Sequence, residues 1–304
     1  MAARKILVVG ATGKQGSATI KALLALPPTT PPLHILGVTR NPESPGAQAL
    51  AAKYPGVVTP VRGDFTDAEA VFANPAVGDD VSSLYLFTMP RTPEDKIGAA
   101  WVDAAVAHKV GQIVLSTVDR GGDAKSWDNP TYVPHFLQKH AVELHLRDVA
   151  KTHPSLRWTV LRPVAFMDNA EPGVACGIFN AMWASVPADK SLQLVSVHDI
   201  GVFAAKAIAA PDEWHGKAIS LAGDSLTQTE AKEIFQRVVG QPMPHTWNIV
   251  GKGLMWAISD VGKMFKWFGE VGYGVDIAAL RKTEPKLQDW ETWLKESSKW
   301  EVKK

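Results

Sequence analysis

Three stretches of this chain carry residues whose types and spacing could do chemistry. VVGATGKQG sets Gly10, Gly13 and Gly16 directly after an apolar run and at the mouth of a helical pattern. Gly10 permits a tight turn, Gly13 lets backbone approach a pyrophosphate, and Gly16 lets the helix pack close to the strand. The glycines recur at every third position rather than as G-x-G-x-x-G, but the strand before them and the helix after them are in the right places. The N–H groups at such a helix start would face phosphate oxygens. GVTRNP then ends the next strand. An NAD site would carry an acid there for the ribose hydroxyls. Thr39 and Arg40 stand there instead, leaving no carboxylate to repel a phosphate and a guanidinium to grip one. The cofactor implied is NADP(H); a solvated surface arginine is the plain alternative. VPHFLQKHAVE, finally, puts His135 four residues before Lys139, so both share one helix face. Histidine can donate a proton near neutral pH, although a neighbouring ammonium lowers its protonated fraction. The alternative is a histidine that packs or caps and a lysine that is solvated.

These residues need a frame to hold them. KILVVG, LHILGVTR, GVVTPV, SSLYLFT, GQIVLS and LRWTVLRP each have the length of a buried strand, with Val, Ile and Leu on consecutive positions. Strands covered on both faces of a parallel sheet read this way. Between them KQGSATIKALLAL, PGAQALAAKY, DAEAVFAN, PEDKIGAAWVDAAVAHK and FLQKHAVELHLRDVAK read as helices. The alternation predicts an α/β fold, a Rossmann-type doubly wound parallel sheet with a smaller, mainly helical C-terminal domain. The nucleotide-binding domain is expected over 1–162, completed by a later strand near 217–222, and the smaller part over 163–304. In this frame Asp64 and Phe65 of RGDF border an adenine ring, or the loop caps a helix at Thr66–Asp67. Phe87 to Pro90 end the fourth strand beside the nicotinamide-side ribose. Ser116 and Thr117 end the fifth, as auxiliary hydroxyls or as loop caps.

Composition narrows the function classes. The chain has 304 residues, 46% of them hydrophobic, and a net charge of +1 with both signs mixed throughout. No basic block of nucleic-acid-binding type occurs, and the N-terminal apolar run is too short for a signal core or a membrane span. Neither nucleic acid nor membrane is expected as a partner. One cysteine, Cys176, excludes an internal disulfide and fits a reducing compartment. The chain reads as cytoplasmic, with nuclear access left open.

GATGKQG, VTRNP, GDF, HFLQK, LRPVAFMDN and the terminal EPKLQDWETWL together resemble the NmrA-like family of atypical short-chain dehydrogenases. The likeness runs from the first strand to the last helix. What the resemblance implies is a Rossmann domain binding NADP(H) and a small variable C-terminal domain. Some members reduce small, often aromatic molecules; others bind the dinucleotide without turnover and regulate partner proteins, including transcription factors. The resemblance gives Gly10, Thr12, Gly13, Lys14, Gln15 and Gly16 to pyrophosphate and Arg40 to the 2′-phosphate. Asp64 and Phe65 would flank adenine, Thr88 and Met89 line the ribose, and Lys96 add a further contact. Lys139 would bind the nicotinamide ribose, and Phe166 and Asn169 close over the nicotinamide.

One part of the reductase pattern is missing. In tyrosine-dependent relatives a phenol four residues before the lysine donates the proton. None of the four tyrosines, Tyr54, Tyr85, Tyr132 and Tyr273, stands there; His135 does. The catalytic candidates are therefore Lys139 and His135. Six of the eleven tryptophans lie at or after Trp247. Leu254, Ile258, Val261, Phe265 and Phe268 recur at helical spacing, and Trp256 and Trp267, eleven apart, return to nearly one angle. That strip is ordinary core, the wall of an apolar pocket, or a homodimer or regulatory-partner surface. Asp199 is expected to cap its helix and Cys176 to be buried. Two functions follow: an NADPH-dependent reductase of a small apolar or aromatic carbonyl, quinone or enone compound, or a non-catalytic NADP(H) sensor acting on a partner protein.

Overall fold

The computed structural model describes residues 3–28, 31–90 and 92–303. The six apolar runs form β1 (Arg4–Val8), β2 (Leu33–Thr39), β3 (Val58–Arg62), β4 (Val81–Phe87), β5 (Gln112–Ser116) and β6 (Arg157–Pro163). Consecutive residues such as Ile6, Leu7 and Val8 have no exposed surface, as strands covered on both faces require. The helical patterns between them form α1 (Lys14–Ala25), α2 (Pro45–Lys53), α3 (Ala68–Phe72), α4 (Glu94–Ala107) and α5 (Pro134–Thr152). Two short strands then leave for a second sheet, β7 (Ala165–Phe166) and β8 (Leu192–Val195); β9 (Lys217–Leu221) returns to the first, and β10 (Asp224–Leu226) joins the second. The large sheet runs β3-β2-β1-β4-β5-β6-β9, and its first six strands pair in parallel. Strand order reverses between β1 and β4, the switch point outside whose carboxyl ends such sheets bind ligands. The Rossmann-type sheet read from the sequence is the one found, and the strand expected near 217–222 is β9.

Two compact units make up the chain. The first comprises Met1–Thr117, Gln138–Leu161 and Ile200–Ile219. Its core sets Leu7, Leu36, Leu84 and Ile113 of the sheet against Trp101 and Val102 of α4 and Leu146 of α5. Gly98 of α4 faces Val142 of α5, where a Cβ would meet a methyl at 2.5 Å, so the two helices approach closely.

The second unit comprises Val118–Leu137, Arg162–Asp199 and Ser220–Lys304. Most of its helices are α6 (Val174–Trp183), α9 (Gln228–Val239), α10 (Asn248–Ala257), α11 (Ser259–Glu270), α12 (Ile277–Thr283) and α13 (Trp290–Glu296); α7 (Val197–Ala209) begins in it, and α7 and α8 (Pro211–Trp214) otherwise belong to the first. Trp183, Trp267, Trp290, Trp293, Phe235 and Phe265 fill its core. Two expectations are corrected. The segment from Leu254 to Phe268 is not one helix: Ile258 leaves helical geometry at φ −114°, ψ 89°. Trp256 is consequently 88% exposed and Trp267 only 1%, and their common angle is lost. Asp199 does not cap α7. Asp168 Oδ2 accepts from Val197 N at 2.9 Å, while Asp199 Oδ2 accepts from Gln288 N at 3.0 Å.

Candidate functional site

The turn between β1 and α1 is built around backbone contact. Gly10 has φ +64°, and a Cβ there would strike the Phe87 ring at 2.7 Å. A Cβ on Gly16 would lie 2.3 Å from Gly10 O, so α1 is seated on the turn itself. Gly13 N-caps α1 without a side-chain bond, and the first turn holds no acid. The opening N–H groups therefore keep their affinity for an anion, and Thr12, Gly13 and Lys14 are exposed beside them. Gln15 turns inward: its Oε1 accepts from Tyr85 Oη at 3.1 Å and from Ser116 Oγ at 2.8 Å. It thereby ties the turn to β4 and β5. Of the residues assigned to pyrophosphate, these six stand together.

At the ends of β2 and β3 the cations gather. Arg40 is exposed. Arg62 pairs opposite Thr39 in the sheet, and its Nη1 donates to Arg40 O at 3.4 Å. Arg62 is a second guanidinium that the sequence reading passed over, although it directly precedes GDF. Asp64 Oδ1 accepts from Thr66 N and Thr66 Oγ1, each at 2.9 Å. Those bonds, with the charge of Arg40 adding to them, hold the Asp64 carboxyl below its usual range. The helix cap is Asp67, which accepts from Ala70 N at 3.0 Å, so Asp64 and the cap are separate features of the loop. Phe65 is half-buried, its carbonyl accepting from Trp101 Nε1 at 2.7 Å.

Beyond β4 lies a closed ring of polar groups. Lys139 is 7% exposed; its Nζ donates to Thr88 O and Thr88 Oγ1, each at 2.9 Å, and stands 2.7 Å from Glu94 Oε2. Thr88 Oγ1 in turn donates to Glu94 Oε2 at 2.6 Å. Gln138 Oε1 accepts from Glu94 N at 2.7 Å, supplying the cap that Pro93 cannot give α4. The structure thus joins Lys139 and Thr88 directly. Met89 beside them is 41% exposed, and Lys96 points outward on α4, exposed.

Glu94 was not legible as a site residue, because an acid in the first turn of a helix also suits the helix dipole. The periodicity held the signal: Glu94, Ile97, Gly98 and Trp101 follow i, i+3, i+4, i+7, and all are buried. Glu143 is a parallel case. It shares the buried face of α5 with Lys139 and Leu146, and its Oε1 accepts from Thr117 Oγ1 at 2.5 Å.

Three of the four tyrosines hold their protons more tightly than a free phenol. Burial pushes the Tyr85 phenol up to about 12. Partial burial and the Glu270 carboxylate push Tyr132 to about 12, and burial with the charge of Asp119 lifts Tyr273 well above its usual range. A phenol poised to give up its proton would be shifted the other way. Tyr132 also precedes the start of α5. His135 lies in the first turn of α5, half-buried and edge-on to Phe136 at 4.5 Å. Within the second unit Phe166 ends β7, half-buried, and Asn169 is exposed in the following 3-10 turn. Cys176 is fully buried, and burial raises its thiol to about 11. No helix among the described residues is long and apolar enough to cross a membrane.

The NmrA-like family model matches residues 2–294. An NmrA-like family domain-containing oxidoreductase of Aspergillus flavus is 25% identical over 282 residues, covering 83% of this chain and 80% of that protein. Among solved structures, NmrA, a negative transcriptional regulator, in complex with NADP matches with a TM-score of 0.68 at 17% identity, covering 98% of this chain and 96% of that one. The Citrobacter sp. triphenylmethane reductase complexed with NADP(H) matches at 0.69 and 20% identity, over 96% and 99%. The structural likenesses are likenesses of fold; the family match extends over nearly the whole sequence, and the chain belongs to the NmrA-like family.

Proposed function

We propose that the protein binds NADP(H) over the carboxyl ends of its parallel strands and uses it to reduce a small apolar or aromatic carbonyl, quinone or enone compound. The glycine turn and the uncapped start of α1 fit a pyrophosphate. Arg40, with Arg62 against its backbone, suits a 2′-phosphate. The solved relatives named above carry NADP or NADP(H) in their titles, which supports the same ligand here.

The observation that carries the reductase reading is the placement of Lys139. A buried ammonium is drawn onto Thr88 at the end of β4, the half of the crevice that takes the second mononucleotide in doubly wound folds. The bound dinucleotide would supply a hydride. Lys139 Nζ would orient the ribose, and His135, at the position of the missing tyrosine, is the candidate to deliver a proton. The roles expected of Lys96, Phe166 and Asn169 belong to the same proposal.

A second reading is a non-catalytic NADP(H) sensor that acts on a partner protein. It is favoured by the raised phenols of Tyr85, Tyr132 and Tyr273 and by the likeness to a transcriptional regulator. NADPH consumption over a panel of aromatic aldehydes, quinones and enones, wild type beside His135→Ala, separates the two. Turnover that is lost in the variant is the expected result. Binding of NADPH with no turnover across the panel would move the weight to the sensor.

A further inference from the structure

The Lys139–Glu94 pair stands just beyond β4, where the proposed function puts the nicotinamide. Nicotinamide is a cation when oxidised and neutral when reduced, so a nearby buried charge acts on one form and not the other. Such an effect grows as water is excluded. Lys139 is 7% exposed and Glu94 not at all, with 2.7 Å between Nζ and Oε2. A buried ion pair is weak evidence for stability, since an apolar pair of similar volume often does as well. Its position at the end of β4 calls for another account.

We propose that Glu94 balances the charge of Lys139 at the nicotinamide end of the crevice, and that this balance sets the ratio of the protein's affinities for NADP⁺ and NADPH. The inference rests on the reading that the crevice takes NADP(H). With both residues present the buried pair sums to zero, and the oxidised ring meets no net repulsion. Thr88 O, Thr88 Oγ1 and Glu94 Oε2 meet the three protons of the ammonium, so Lys139 would hold a ribose by turning one of them from these partners to the sugar. Thr88 Oγ1 locks the arrangement by accepting from the ammonium and donating to the carboxylate. Gln138 fixes the start of α4, and Gly98 lets α4 and α5 come close enough for the pair to meet. Glu143 and His140 are also buried on this face of α5; they are left unchanged in every variant below and so cancel from the comparison. For a reductase the balance governs how readily oxidised product leaves, and for a sensor it governs which form is reported.

The test is the dissociation constant of NADPH and of NADP⁺ for the intact protein, by calorimetry. Glu94→Gln keeps an oxygen for Lys139 and Thr88 but removes the charge. It should weaken NADP⁺ relative to NADPH by about tenfold. Lys139→Met should shift the ratio in the opposite direction. The double variant leaves neither charge of the pair unopposed and should return to within about threefold of wild type. Glu94→Asp withdraws the charge by one methylene and should move the ratio as glutamine does, by less; it supplies the reading if Glu94→Gln does not fold. Single variants that weaken both forms equally would overturn the inference while leaving the cofactor reading intact. A wild type that binds neither form would overturn both.

Discussion

At the scale of single residues the site is a set of charges held by named oxygens and nitrogens. Arg40 is the residue on which nucleotide choice should turn. Arg40→Ala is expected to weaken NADPH by roughly 10- to 100-fold, the worth of charge-assisted hydrogen bonds, and NADH far less. Titration of both nucleotides checks this, and equal weakening would remove Arg40 from the 2′-phosphate. Asp199 gives a prediction of a different kind. Burial pushes its carboxyl up to about 7, with the charges of Glu284 and Asp168 adding to the shift against the Gln288 N–H and Arg281. A carboxyl that binds its proton more tightly folded than unfolded stabilises the fold at low pH. That contribution is lost as pH rises through about 7. Asp199→Asn still accepts from Gln288 and cannot ionise, so it should be the more stable protein at pH 8. The gain should be on the order of 2–4 kcal/mol at roughly 1.4 kcal/mol per pH unit, and should vanish near pH 4. Urea unfolding at the two pH values measures it. The candidate site is partly legible in the sequence. Lys139 and the glycines announce themselves by spacing, whereas Glu94 and Arg62 hide because a first-turn acid and a strand-end arginine are common on solvated surfaces.

At the scale of elements, helix placement depends on a few missing side chains. α1 rests on the carbonyl of Gly10 through Gly16, with backbone on both sides of the contact and no flexible side chain to give way. Gly16→Ala should cost about 1–3 kcal/mol of stability, as overpacking does, and should displace the start of α1 enough to weaken NADPH. Unfolding curves and a titration on one sample test both effects; unaltered affinity in a folded variant would deny the turn its role. The strands were readable as continuous apolar runs, and the first five helices because each repeats its period over a whole element. The bend at Ile258 was not, because α10 and α11 use the same period and nothing in the apolar pattern marks the change of direction. The part Asp168 plays at α7 was hidden for a different reason: it lies 29 residues before Val197, and only the path of the chain brings it to the helix start.

At the scale of the whole molecule, the sheet read from the sequence is present and the chain leaves its first unit and returns to it. The first unit draws on residues as late as Ile219, after a long excursion through Arg162–Asp199. This threading has a consequence for synthesis. As the chain leaves the ribosome, β6 is made well before β9, its neighbour in the sheet. Val160 and Leu161, wholly covered in the finished fold, would wait on an open strand edge of the kind that recruits other chains. A gene fragment ending soon after β6 would make that wait permanent. It should therefore accumulate as aggregate, so the shortest soluble form of the first unit has to extend through β9.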